Sequence, residues 1–495
     1  MPGVAILLAV KRPAQTSEVS GTSEVYHADL WGLRGQKYAQ LLKTDVSSTA
    51  WQRLFPSSPF YLFVSQDVAL RAEYRQGWKI TEAMPTNVLG FQTHRDHFAI
   101  AFDKAEIRER IALMRSRQLS DEEFRKRFKV RDNPGWRLHQ ARRRLRADPD
   151  WEKAITQCSY RPFDHRWCYF STVAMDRPRC ELLDHIAQKQ NLCLNVVRQT
   201  KMADWRHAVV SRTPTPALFV EIKDGSTVFP TYLYPDAKSA TLLDRQEPTD
   251  APGGRWPNLA PEFIADLSER LGLRFIPDGA PLSLAGRGAG GEGTFGPEDI
   301  FHYAYAVFHS PTYRTRYAEF LKIDFPRLPL TSDLDLFRAL CALGADLVAL
   351  HLLEDDYPAA SWNQKPPAGS EPAGGSPLQR PITTFVERET GTTMGAFSRR
   401  TCYQDGKVYL DTSQRSRSSY FDGVPEDVWN FYIGGYQVCY KWLYDRRGTG
   451  GEPGRTLTAE DIAHYQRIVV ALKETIRLMA EIDEVIEAHG GWPIE

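Results

Sequence analysis

Arginine and aromatic side chains are packed together in Ser159-Tyr160-Arg161-Pro162-Phe163-Asp164-His165-Arg166-Trp167-Cys168-Tyr169-Phe170. A core strand accounts for the rings but not for Arg161 and Arg166, because a buried guanidinium needs a carboxylate, and Asp164 is the nearest candidate. A guanidinium left free there has the planar fork that suits a phosphate or the edge of a guanine. Arg142-Arg143-Arg144 offers a second basic group, readable either as a solvated helix face or as phosphate contacts. A third constellation joins Asp204 to Glu221-Ile222-Lys223, the acidic residue and Glu-x-Lys spacing with which metal-dependent nucleases hold Mg²⁺ and position a water. That pattern is short, and a surface strand ending in an edge lysine explains it equally simply.

Motifs for other chemistries are missing. No Walker A loop, H-E-x-x-H or G-x-S-x-G occurs, nor a glycine-rich turn after a first strand to admit a methyl donor, nor an (Asp/Asn/Ser)-Pro-Pro-aromatic loop to hold an amino group. Asp132-Asn133-Pro134-Gly135-Trp136 comes close to the last, but Gly135 stands where a second proline is needed, so it reads as a turn. The catalytic and metal-ligand sets are therefore expected to be empty.

The elements that must position these residues are set by a chain of 495 residues with 62 basic and 62 acidic side chains. Its length allows two to four domains. Zero formal net charge announces no polyanionic partner globally, so any charged surface must come from uneven placement. Seven scattered cysteines without a Cys-x-x-Cys pair suit reduced thiols and a cytoplasmic setting. No apolar run approaches the ~20 residues that span a bilayer.

Val4 to Val10 reads as a fully buried strand, yet nothing before it could supply the rest of a sheet, so the chain is expected to open inside an α/β domain. Short strands follow at Glu24–Leu30 and Phe60–Val64, with a helix at Tyr38–Leu42. From about 104 to 146 the pattern predicts three densely charged, net basic helices. From 151 to 235 it predicts short strands, among them WCYFST, NLCLNVVRQ, HAVVSR, ALFVEIK and TVFPTYLY, with a turn at Arg161-Pro162. Helices are expected at Leu259–Leu271, over Asp299–Leu321 with a break near Ser310-Pro311, and in the amphipathic, acidic C-terminal stretch. Gly286–Gly293, Trp362–Pro377 and Gly448–Gly454 read as loops.

At this point YRPFDHRWCYF resembles the Tyr-Arg-Pro-Phe-Asp-x-Arg motif near the start of the target-recognition region in Type ISP restriction-modification enzymes, single chains that join nuclease, helicase, adenine-N6 methyltransferase and recognition domains. DIFHYAYAVFHSPTYRTRYAEFLKIDFPRLPL (299–330), VWNFYIGGYQVCYKWLYDRRG (428–448) and DIAHYQRIVVALKETI (461–476) are similar to the same family's C-terminal signature. GVAILLAVKR (3–12) is similar to a late methyltransferase strand, and DNPGWRLHQARRRL (132–145) also matches. The resemblance implies an α+β fold: a remnant of a methyltransferase α/β sheet at 1–100, a basic helical connector at 101–150, and a large mixed target-recognition domain at 151–360. A Pro/Gly/Ser-rich linker at 361–385 and a helical C-terminal part at 386–495 complete it. It implies a DNA-recognition module without its own cofactor or catalytic motifs, S-adenosylmethionine, ATP and Mg²⁺ belonging to the full-length enzyme. Double-stranded DNA is the implied partner, and the chain is expected to be either a truncated gene product or a split subunit that needs a separate methyltransferase, helicase or nuclease chain. The implied contacts are Arg142, Arg143 and Arg144 on phosphates, and Arg161, Arg166, Arg177, Arg198, Lys201 and Arg206 nearer the bases. A Mg²⁺-dependent nuclease built on Asp204, Glu221 and Lys223, or a remnant that no longer binds DNA, are the alternatives.

Overall fold

A computed structural model describes residues 7, 9, 24–56, 58, 61, 63, 67–235, 254–278, 293–358, 360–363, 375–394, 403–411, 415–447 and 454–494. Most of the opening strand, the Phe60–Val64 strand and the three expected loops lie outside the described residues. The chain divides into two compact units, Met1–Arg71 and Ala72–Glu495.

In the first unit Val25–His27 pairs antiparallel with Gln52–Leu54, and a helix runs from Arg34 to Leu41. That helix buries none of its residues, and Trp31, Leu33, Leu42 and Phe55 are each at least 70% exposed.

The second unit mixes helices and sheets, as an α+β fold requires. Its first core lies under a three-stranded antiparallel sheet, in which Asp164–Tyr169 is flanked by Ile155–Arg161 and Ile100–Ala101. Helices Lys104–Arg115, Asp121–Phe128 and Leu138–Ala147 cover it, burying Ile107, Ile111, Met114, Phe124, Leu138 and Leu145 in one apolar cluster with Cys158 and Cys168. Apolar residues every three or four positions make this stripe, and the charges between them face water. The expected boundaries at 100 and 150 thus fall inside one packed body: Ile100 pairs with Cys168, and the basic helices share the strands' core.

A four-stranded antiparallel sheet follows, in the order Val88–Leu89, Ser226–Pro230, Cys193–Val197, Ala208–Ser211. ALFVEIK is not a strand. Residues 217–220 form a turn on the loop before Ser226, leaving Leu218 and Ile222 exposed.

The last part is helical. Pro297–His309 crosses Leu334–Leu352 so closely that a Cβ on Gly344 would stand 1.9 Å from the His302 carbonyl oxygen. Ala459–Ala488 packs against the same pair: His351 Nε2 bonds to Thr475 Oγ1 at 2.9 Å. Pro311 starts a new helix after Ser310, whose hydroxyl caps it, which places the expected break where the sequence put it. Thr384–Val386, Tyr420–Asp422, Lys407–Tyr409 and Tyr403–Gln404 form a second four-stranded sheet. No helix among the described residues is long and apolar enough to cross a membrane.

Candidate nucleic-acid interface

The hairpin at 155–169 turns through Pro162 and Phe163, the latter at φ 62°, and His464 Nε2 donates to the Phe163 carbonyl at 2.8 Å. Just past the turn Asp164, 1% exposed, is gripped from two sides. Arg166 Nε and Nη2 donate to one carboxylate oxygen at 3.0 and 2.7 Å, and Arg446 Nη2 donates to the other at 3.0 Å. Burial alone would raise the pKa of Asp164, but the two guanidiniums hold it far below the ordinary carboxylate range. Arg166 also lies over the rings of Tyr160 and Phe102, at 4.0 and 4.3 Å to their centroids. Its expected place near DNA bases is therefore corrected: Arg166 is a clamp holding the hairpin to the C-terminal helices.

Arg161 has no such carboxylate. It is sandwiched between Tyr160 (4.1 Å) and Tyr436 (5.3 Å) and donates to the Tyr160 carbonyl at 2.6 Å, while its buried Nε has no hydrogen-bond partner.

Arg142 is likewise corrected as a phosphate contact. It is 3% exposed and donates to the carbonyls of Met114 and Leu119 and to Asp121 at 2.6 Å, over the Phe124 ring. Its neighbours Arg143 and Arg144 project to solvent with no ion-pair partner among the described residues. Helical geometry separates the three, since consecutive residues are ~100° apart around the axis. Arg177 and Lys201 are also exposed and without an ion pair among those residues. Arg198 is 62% exposed and 3.5 Å from Asp324, and Arg206 pairs loosely with Asp204 at 3.3 Å.

The nuclease constellation does not assemble. Glu221 is 4% exposed, and its carboxylate accepts from His207 Nε2 (3.0 Å), Thr200 Oγ1 (3.3 Å) and its neighbour's amide, Ile222 N (2.7 Å). Burial opposes ionisation, yet these donors keep its pKa below the ordinary value. The amide of Arg206 donates to His207 Nδ1, which leaves Nε2 to carry the proton toward Glu221. Asp204 meanwhile stands 71% exposed beside Arg206. No group of three or more His, Cys, Asp or Glu side chains among the described residues is placed to hold a metal ion.

One polar constellation escaped the reading of the sequence. Asp176 accepts from His94 Nδ1 (2.6 Å) and Asn133 Nδ2 (2.8 Å) and pairs with Arg95 Nη2 (2.6 Å), and Arg95 lies 3.9 Å over the Trp136 ring. The Asp-Asn-Pro-Gly-Trp segment is indeed a turn, closed by reciprocal backbone bonds between Asn133 and Trp136. Free Arg177 adjoins it, with its backbone doubly bonded to Gln92.

A family model described as the Type ISP C-terminal specificity domain matches residues 82–481. The chain belongs to that family. Among curated proteins nothing matches it. The fold is similar to that of three solved structures. The nuclease-deletion mutant of the Type ISP restriction-modification enzyme LlaGI, in complex with a DNA substrate mimic, gives a TM-score of 0.57 at 16% identity over 92% of this chain and 33% of that one. The ATP-dependent Type ISP enzyme LlaBIII bound to DNA gives 0.58 at 15% identity over 91% and 27%. The DrdV–DNA complex gives 0.58 at 17% identity over 91% and 42%. This specificity-domain chain thus spans between about a quarter and two fifths of each of them.

Proposed function

We propose that this chain selects the DNA sequence on which a restriction-modification system acts, and that it does so without cofactor or catalytic residues of its own. The observation that carries the reading is the specificity-domain match over residues 82–481. The fold likeness to three enzymes solved on DNA supports it. So do the exposed cations Arg143, Arg144, Arg177 and Lys201, which have no ion-pair partner among the described residues. In this reading phosphates are met by such cations and sequence is read by side chains reaching base edges. The segment 1–100 is taken as the remnant of a methyltransferase sheet. The methyl donor, ATP and Mg²⁺ then belong to a catalytic body that the specificity domain directs. Purified chain should retard double-stranded DNA and enrich a motif from a randomised duplex library, while transferring no labelled methyl group from S-adenosylmethionine. Methyl transfer by this chain alone would contradict the assignment of catalysis to that body.

A further inference from the structure

Three loops meet beside the sheet formed by Val88–Leu89, Ser226–Pro230, Cys193–Val197 and Ala208–Ser211: residues 198–206, residues 217–224, and the hairpin in which Tyr432–Ile433 pairs with Tyr436–Gln437. Buried Glu221 ties the first two together through Thr200 and His207. The hairpin is laid over them by Gly434 N to the Arg206 carbonyl (2.6 Å), Gly435 N to the Val220 carbonyl (3.1 Å) and Tyr436 Oη to the Leu218 carbonyl (2.7 Å). Only glycine permits this approach: a Cβ on Gly434 would stand 1.9 Å from the Val220 oxygen, at a backbone φ of +52°.

These rigidly joined loops present apolar side chains to water. Of the five large hydrophobic residues described as exposed in the second unit, four lie here: Met202, Leu218, Ile222 and Tyr432. Exposed apolar groups held on a buried hydrogen-bonded scaffold point to a binding surface. Their surroundings say what binds. Lys201 and Lys223 are exposed with no ion-pair partner among the described residues, Arg198 is only weakly engaged, and the acidic groups nearby are Asp204, on Arg206, and Asp224, 3.5 Å from the Gln199 amide. Underneath, stacked beneath Tyr436, lies the guanidinium of Arg161, with no ion-pair carboxylate among the described residues. Uncompensated positive charge under a low-dielectric surface projects a field toward an anionic partner.

We propose that this three-loop ledge is the edge that enters a groove of the target duplex, with Lys201 and Lys223 reaching phosphates and Met202, Ile222 and Tyr432 lying against bases. The proposal rests on the DNA-selecting reading above and adds to it the residues that confer selectivity.

The test uses the full chain, a randomised duplex library, the duplex it enriches and a scrambled control. Ile222→Ala should lose about tenfold in affinity on the enriched duplex and far less on the scrambled one, with an altered enriched motif. Lys201→Ala and Lys223→Ala should weaken both duplexes alike, each reducing the slope of log affinity against log salt by about one. All three side chains are exposed, so melting temperatures should stay at the wild-type value. If the variants keep wild-type affinity and motif, the ledge is not the reading edge, and the DNA-selecting role stands without it. Equal loss on both duplexes from Ile222→Ala would likewise overturn base contact by that residue. If wild-type chain binds no duplex at all, the broader reading fails and the ledge with it.

Discussion

The hairpin at 155–169 and the three-loop ledge hold the same ingredients, arginine and aromatic rings, to different ends. In the hairpin Arg166 and Arg446 close on one buried carboxylate, Asp164, so their charge is spent inside the protein. On the ledge the buried carboxylate, Glu221, is met by a histidine and a threonine, and the lysines stay unpaired. Enrichment in arginine beside aromatics therefore does not mark a nucleic-acid contact; the presence or absence of a carboxylate within reach decides it.

The largest effect expected from breaking this contrast is at Asp164. Asp164→Asn leaves Arg166 and Arg446 facing each other in a buried site and should cost about 3–5 kcal/mol of stability in denaturant melts, with DNA binding lost on every sequence. A near wild-type melt would show that the clamp is not a structural device. Arg166→Ala should act in the same direction but less, about 3 kcal/mol, because Arg446 still compensates the carboxylate.

Acid should load the clamp as well. The folded pKa of Asp164 is depressed below the ordinary 3.8 of an aspartate, so its contribution is complete above that value and is lost as pH falls through the lower, folded pKa. Asp346, on the Leu334–Leu352 helix, where its carboxylate accepts from the Ser361 amide and hydroxyl, works the other way. Burial raises it to about 6, so between about 4 and 6 the folded state holds more protons than the unfolded one, and stability should fall as pH rises through that window. A pH series of melts on wild type and Asp346→Asn reads both, since the variant should lose only the upper dependence.

Gly434→Ala should sharpen the other half of the comparison. It forces the hairpin off the ledge and is expected to reduce duplex affinity, while hydrogen exchange at 155–169 stays as in wild type. The smallest effects belong to Arg143→Ala and Arg144→Ala: stability within about 0.5 kcal/mol of wild type, and a salt slope lower by about one for each residue that meets a phosphate. An unchanged slope would move the phosphate contacts elsewhere.

Much of the fold was legible because it is local. Helices at 104–115, 121–128, 138–147 and 459–488 follow from apolar spacing and from caps such as Ser120 and Thr458. The partner of Arg166 could be named because Asp164 is two residues away. Arg446 could not, because 282 residues separate it from Asp164 in the chain. The Leu334–Leu352 helix is buried almost all round and so carries no polar stripe to reveal its period. ALFVEIK has a strand's composition, but Gly434 and Gly435 press the hairpin onto it, and it folds into a turn. The candidate contacts were legible as residue types only: within Arg142-Arg143-Arg144 nothing local tells which one turns inward.

The clamp also ties the middle of the chain to the order in which a ribosome makes it. Asp164 is made well before its second guanidinium, at 446, and before the His464 donor, which lies 301 residues after the Phe163 carbonyl it bonds. Until then a carboxylate meant for a closed interior sits half-neutralised beside an unfinished surface. A message broken upstream of codon 446 should accordingly yield a product with a protease-labile hairpin, which limited digestion of ribosome-released fragments ending before and after Arg446 would reveal. The hairpin is thus expected to settle only once the chain has been made past residue 464.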